Sequence, residues 1–330
     1  MVKLYSQTRR RYIENILIGL ATIGVLALVV YLFILTTPKA LPSQPPEFQF
    51  NIYGASRQGK GALSAPLAAA ASQDRIYVAD SGQSRVQIFT YDGEFVNSLS
   101  TAPTPTKKER KPLSYPVGIA LDQTGNVFVA DLYSSQLLVF NDIEFNSKFP
   151  PTGQHSSLKK PMAVAITKDR IYVIDAGDSK VKIFNTTGKL LLTFGGKGFK
   201  QGEFRFPNGI AVDKSGKIYV ADTGNARVQI FNPKGRLLLA FDGRPQIRFT
   251  FPRGIAIDRW QRIHIVDTFD KQVYVFNNKG RYLFSYGSGE GGSGDEDFSF
   301  PSGIAIEQKT GRIFVTDRAN NRLSVWDYPD

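Results

Sequence analysis

Residues 206–231 read FPNGIAVDKSGKIYVADTGNARVQIF, from Phe206 to Phe231, and they are the fullest of six copies of one unit in a chain of 330 residues. The proline recurs as Pro66, Pro116, Pro161, Pro207, Pro252 and Pro301, at steps of 50, 45, 46, 45 and 49. The second aspartate recurs as Asp80, Asp131, Asp175, Asp222, Asp267 and Asp317. Each copy holds three short runs rich in Val, Ile, Tyr and Phe, and in this copy Asn-Pro-Lys-Gly (232–235) turns the chain into a fourth, RLLLAF. Period-two runs bounded by Gly, Asn, Asp and Pro predict strands of an antiparallel meander. Four strands per ~45 residues, repeated six times, make an all-β, six-bladed β-propeller with four-stranded blades. No stretch after Pro38 has an apolar period of 3.6, which excludes a helical solenoid.

The innermost run carries small residues at two places: Ala68, Gly118, Ala163, Gly209, Gly254 and Gly303, then Ala70, Ala120, Ala165, Ala211, Ala256 and Ala305. Blades converge on an axis, so the inner strand has least room and Gly or Ala allows close backbone approach. The second run places Tyr77, Phe128, Tyr172, Tyr219, His264 and Phe314 where the wider space between blades takes a ring. The sixth copy lacks its outer strand. Residues 48–54, FQFNIYG, resemble the outer strands at 190–195 and 282–287, and are expected to close the ring on the last blade without leaving an open edge.

These copies resemble NHL repeats over about residues 47–330. WD40 repeats fit poorly for want of the Gly-His and Trp-Asp pairing, and Kelch repeats for want of a Gly-Gly doublet in each copy. The resemblance implies a binding platform, and it also implies that an enzyme has to be weighed. NHL-type propellers include peptide-amidating lyases, and similar propellers include antibiotic-opening lyases and lactone hydrolases that gather histidines or carboxylates around a metal at the channel mouth.

Ahead of the propeller, residues 16–35 form 20 residues without a charge, which as a helix would span ~30 Å, one bilayer crossing. Lys3, Arg9, Arg10 and Arg11 precede this run and only Lys39 follows closely. The positive-inside rule then puts the N-terminus in the cytoplasm and the propeller outside, at the periplasm or cell surface. The run exceeds a signal-peptide core, and the nearest cleavage candidate, Pro38-Lys39-Ala40, has a misplaced proline, so an uncleaved anchor is expected. The chain thus divides into a basic tail (1–12), a signal anchor (13–36), a Pro-rich linker (37–46) and the propeller (47–330). The absence of cysteine excludes a lipoprotein anchor, disulfides and Cys-bound zinc. Of the net charge of +12, the first 40 residues contribute +4 and the rest +8. Outside the cytoplasm such a charge suits anionic phospholipid or an acidic partner rather than nucleic acid.

With strands a to d running outward in each blade, the b–c turns and d-to-a connections share one face, here the loop face. The a–b and c–d turns share the other, the turn face, which receives the linker. On the turn face Lys168, Arg170, Lys189, Lys214, Lys217, Lys234, Arg236, Arg259, Arg262, Lys279 and Arg281 make blades three to five basic. Asp74, Asp92, Glu94, Asp122, Asp142 and Glu144 make blades one and two acidic. On the loop face two segments depart from the repeat and are expected to bind a partner. One is 101–114, with Lys107, Lys108, Arg110 and Lys111; the other is 287–299, with Glu290, Asp295, Glu296 and Asp297. The Gly-rich run 291–295 is a single copy of a calcium-type nonapeptide and does not make a metal site by itself.

The residue after each proline (Leu67, Val117, Met162, Asn208, Arg253, Ser302) should ring the channel mouth on the loop face, apolar on three blades and polar on three. Met162, Asn208, Arg253 and Ser302 are the candidate ligand-binding residues there. The recurring aspartates stand at every b–c turn, five residues before Arg85, Gln136, Lys180, Arg227, Gln272 or Arg322, so they read as turn-capping acceptors paired with the basic residues. Chemistry needs one asymmetric site, and six equivalent acids do not supply it. Of the two histidines, His264 occupies a packed-ring position and His155 a loop. No catalytic residue, metal or cofactor is assigned. The expectation is a membrane-anchored scaffold that binds an exported or membrane protein. The alternative is a lyase- or hydrolase-type enzyme with a carboxylate-bound metal at the channel mouth.

Overall fold

The computed structural model describes residues 44–330 except 57–60, 73, 100–102, 105, 106, 111, 112, 134, 135, 142, 143, 152–157 and 330; ahead of these it describes 19, 20, 22–28, 31 and 42. The chain divides into two compact units, Met1–Ser43 and Gln44–Asp330. In the first, residues 19, 20, 22–28 and 31 are helical. Among the described residues no helix is long and apolar enough to cross a membrane. Half of the expected membrane run, 16–35, lies outside them.

The second unit consists of six four-stranded antiparallel sheets and one two-stranded hairpin. In blade one, strands a to d are Ala68–Ala71, Arg75–Asp80, Arg85–Thr90 and Phe95–Leu99; in blade four they are Gly209–Val212, Ile218–Asp222, Arg227–Phe231 and Leu237–Phe241. In blades two, three, five and six strand a starts at the repeat proline itself, as in Pro116–Leu121 and Pro301–Ile306. The ring closes as expected. Glu47–Ile52 pairs antiparallel with Arg322–Asp327 as the outer strand of blade six, with Phe48 opposite Trp326 and Ile52 opposite Leu323.

The core is not one mass. Each seam between neighbouring blades has its own apolar cluster, for instance Tyr172, Ile183, Phe204, Ile210 and Phe231 between blades three and four. The second-strand rings sit in these seams: Tyr77, Phe128, Tyr172, Tyr219 and Phe314 are all buried. Near the axis, space is tight. A Cβ on Gly303 would lie 2.6 Å from the Leu67 carbonyl oxygen and 2.8 Å from the Ala68 Cα across the closing seam, so only glycine fits there.

Candidate docking face and channel mouth

The six recurring aspartates are buried, none more than 1% exposed. Each binds the backbone that leads into strand a of its own blade. Asp222 accepts from the Arg205 N–H (2.7 Å), Asp131 from those of Ser114 and Tyr115, and Asp317 from those of Ser299 and Phe300. The expected basic partners are present in three blades, through Arg85 (2.6 Å), Arg227 (2.8 Å) and Arg322 (3.4 Å). Blade three differs: Asp175 pairs with Lys182 at 2.7 Å, not with Lys180. Positions five and seven after the aspartate project from the same side of strand c, so either can supply the donor. Gln87 and Gln229 use the seventh position in the same way, at 2.9 and 3.0 Å. This ring of acids is structural.

The same arginines organise the d-to-a connections. Arg227 donates to the carbonyls of Phe199, Lys200 and Glu203, and buried Arg322 to those of Ser293, Gly294 and Asp297. Segment 287–299 is therefore an enlarged version of the connection in blade four, wound around an arginine, rather than a departure from the repeat. Glu290, Asp295 and Glu296 remain exposed, whereas Asp297 is partly buried and accepts from the Gly294 N–H. In the other expected docking segment, Pro103–Thr104 pairs with Lys107–Arg110 as a short hairpin. That strand holds Lys107, Lys108 and Arg110, and Lys111 lies outside the described residues.

The four candidate ligand-binding residues do come together. Met162, Asn208, Arg253 and Ser302 line the central channel with Leu67 and Val117, around a cavity of about 80 Å³. That volume holds a few waters and falls well below the ~300–1,000 Å³ of small-molecule sites. The channel lining contains no carboxylate and no imidazole, and its one charged side chain is the cation Arg253. Such a donor set does not fit the metal that the enzymatic alternative requires. Among the described residues no group of three His, Asp or Glu side chains could hold one elsewhere. The wider concavity, about 760 Å³, opens at the axis on the turn face between the a–b turns of blades two to six. Its buried carboxylates are already engaged: Asp213 accepts from the Ser215 and Lys217 N–H groups and the Tyr219 hydroxyl, and Asp258 from Arg262.

Two expectations about single residues divide. His264 is packed as expected, fully buried with its ring centroid 6.1 Å from Tyr286; Nε2 lies 3.2 Å from Asp258. Burial holds the imidazole below its ordinary pKa, against the pull of Asp258. Arg262, expected on the basic surface, is instead buried, bonded to Asp258 at 2.6 Å and stacked on Trp260 and Tyr328. It follows a turn whose acceptor is Asp258, and two aromatic rings cover it. His155 and Asp142 lie outside the described residues.

The largest feature of the loop face went unread in the sequence. The residue before each proline sits next to the one that lines the channel: Ala65, Tyr115, Lys160, Phe206, Phe251 and Phe300. A backbone bond ties this position to the b–c turn, as from Leu132 N–H to the Tyr115 carbonyl and from Thr268 N–H to that of Phe251. The turns add Tyr133 and Phe269. Tyr115 meets Tyr133 at 5.3 Å, Phe251 stacks on Phe269 at 4.6 Å, and Phe269 meets Phe300 at 5.8 Å. Arg205 lies over Phe199 and Phe206, and Arg318 over Phe300. Tyr133, Phe199, Phe206 and Phe269 are 73, 70, 65 and 55% exposed. Phe206 is also held at φ 47°, costly for a bulky side chain. An exposed collar of aromatics and arginines has the composition of an interaction surface rather than of an ordinary rim.

The NHL repeat family matches residues 113–140 and 204–231, and a family described as a 6-bladed beta-propeller matches 255–330. No curated protein sequence matches the chain. Among solved structures, it is similar to a streptogramin B lyase at 14% identity and a TM-score of 0.57, over 86% of this chain and 98% of that one. It is similar to virginiamycin B lyase from Staphylococcus aureus with quinupristin at 13% and 0.55, over 82% of each chain. A structural genomics protein from Bacteroides thetaiotaomicron gives 16% and 0.62, over 85% and 76%. At these identities the likeness shows the fold alone. The chain is a six-bladed β-propeller with NHL repeats at 113–140 and 204–231, closed by the strand Glu47–Ile52.

Proposed function

We propose that this propeller is a scaffold that binds another exported or membrane protein through its loop face, held at the membrane by residues 16–35 with the N-terminus in the cytoplasm. The collar is the observation that carries the reading. Aromatic and arginine side chains are the types that dominate protein interfaces, and four of these rings stand largely in solvent. The turn face supports the other half of the reading. Lys168, Lys189, Lys214, Lys234, Arg236, Lys279 and Arg281 are exposed on blades three to five, and on anionic headgroups each would add ~1 kcal/mol. The test is crosslinking in native membranes followed by mass spectrometry of what remains with the tagged full-length chain. A stoichiometric partner should be lost from a Tyr133→Ser, Phe206→Ser, Phe269→Ser variant and kept by a Lys189→Glu, Lys234→Glu, Lys279→Glu variant. Retention by the collar variant would overturn the reading.

A further inference from the structure

At the centre of the collar the channel narrows to a single charged group. Arg253 is the second residue of the inner strand of blade five, on the loop face, and lines the channel. Among the described residues its guanidinium has no hydrogen-bond or ion-pair partner. The arginines that follow the recurring aspartates, Arg85, Arg227 and Arg322, are all paired with a carboxylate. The charged neighbour that bears on Arg253 most is another cation, Arg318 of blade six, and the Tyr115 hydroxyl of blade two reaches it more weakly. Desolvation in the mouth, then Arg318, lower its pKa to about 10. In blades one, three, four and six the repeat gives the buried charge on this face a counter-ion. Here Arg253 lines the axial opening without a counter-ion and Arg318, over Phe300, adds a second positive charge to its surroundings, and a desolvated guanidinium favours a bidentate carboxylate over water.

We infer that the mouth of the channel at Arg253 and Arg318 is a site for a carboxylate, supplied by an Asp or Glu side chain of the protein segment that lies across the collar. This rests on the docking reading above and names the chemistry of its centre. The cavity selects the source. About 80 Å³ admits the end of one acidic side chain pointing down the axis, while the segment's backbone and neighbouring side chains stay above on Tyr115, Phe251 and Phe300. A carboxylate seated there would give Arg253 the counter-ion it lacks and relieve its repulsion with Arg318. Recognition would then read an acidic residue flanked by apolar ones, with specificity from the buried charge and area from the rings.

The site can be tested without knowing the partner, by arginine-selective labelling of the full-length protein with butanedione, read residue by residue by mass spectrometry. The lowered pKa makes Arg253 label faster than exposed Arg236. N-acetyl-glutamate N-methylamide should slow labelling of Arg253 and Arg318 severalfold and leave Arg236 unchanged; the glutamine counterpart should do neither. In Arg253→Gln the protection of Arg318 should disappear. Protection only by N-acetyl-glutamine, whose carboxylate is terminal, or only by inorganic phosphate, would overturn the assignment, as would equal protection of Arg236 or none at all. Because no partner is present, failure here would leave the docking reading to its own experiment.

Discussion

The two faces of this propeller are built from the same repeat and spend their polar residues in opposite ways. On the turn face, Asn185, Asn232 and Asn277 each accept two backbone N–H groups within their own turn, leaving the lysines and arginines beside them exposed. On the loop face, the aspartates are buried and the arginines turn inward to wrap the connections. Beside the exposed acids of 290–296, aromatic rings then stand outward around the channel. One face is local and electrostatic, the other is long-range in its hydrogen bonds and apolar at its surface. Polar groups consumed by the scaffold leave aromatic rings at the surface, and that difference is the reason the docking role is proposed for the loop face.

The comparison is broken most severely at the buried acids. Asp222→Ala removes the acceptor of Arg205, Asn225, Arg227 and Gln229 at once. Denaturant unfolding should show a loss of about 3–5 kcal/mol, against about 1 kcal/mol or less for Asn232→Ala in a solvated turn. Equal costs would mean that the two faces are held alike. Next comes the axis that both faces share: Gly303→Val drives a side chain into the Leu67 carbonyl and should cost about 1–3 kcal/mol, read as a lowered Tm. Hinge-like opening of the closing seam would instead leave Tm unchanged.

A smaller effect separates the seams. In the folded chain His264 is held below its ordinary 6.5 by burial, so on acidification the unfolded chain takes up a proton that the folded chain refuses. Stability is therefore lost as pH falls below about 6.5, at up to about 1.4 kcal/mol per pH unit. His264→Phe, which restores the ring found at this position in blades two and six, should abolish that slope in denaturation curves between pH 7.5 and 5. A slope unchanged by the substitution would place the titration elsewhere. Smallest of all, Lys234→Ala with Arg236→Ala should change stability by no more than about 0.5 kcal/mol while weakening binding to anionic liposomes by ~1 kcal/mol per charge. Liposome binding insensitive to lipid charge would remove the membrane role of the turn face.

Much of this was legible in the chain because a repeat tests each position six times. The blade count, the closing strand at 47–52, the seam rings and the structural role of the aspartates all follow from recurrence. Recurrence also misled where the scaffold has two equivalent solutions. Lys182 replaces Lys180 because alternate residues of a strand share a side, and Arg262 leaves the surface because Trp260 and Tyr328, far apart in sequence, cover it. The collar was illegible for the opposite reason. Each copy contributes one unremarked ring before its proline or in its b–c turn, and only radial closure brings Tyr115, Phe251 and Phe300 to one mouth.

The most direct test places a photo-crosslinking amino acid at position 269 on the collar and, in a separate chain, at position 234 on the turn face, both in full-length protein in native membranes. The account predicts a discrete protein adduct from position 269 that disappears with Tyr133→Ser and Phe206→Ser, and none from 234 beyond lipid. A protein adduct from 234 with nothing at 269 would contradict it.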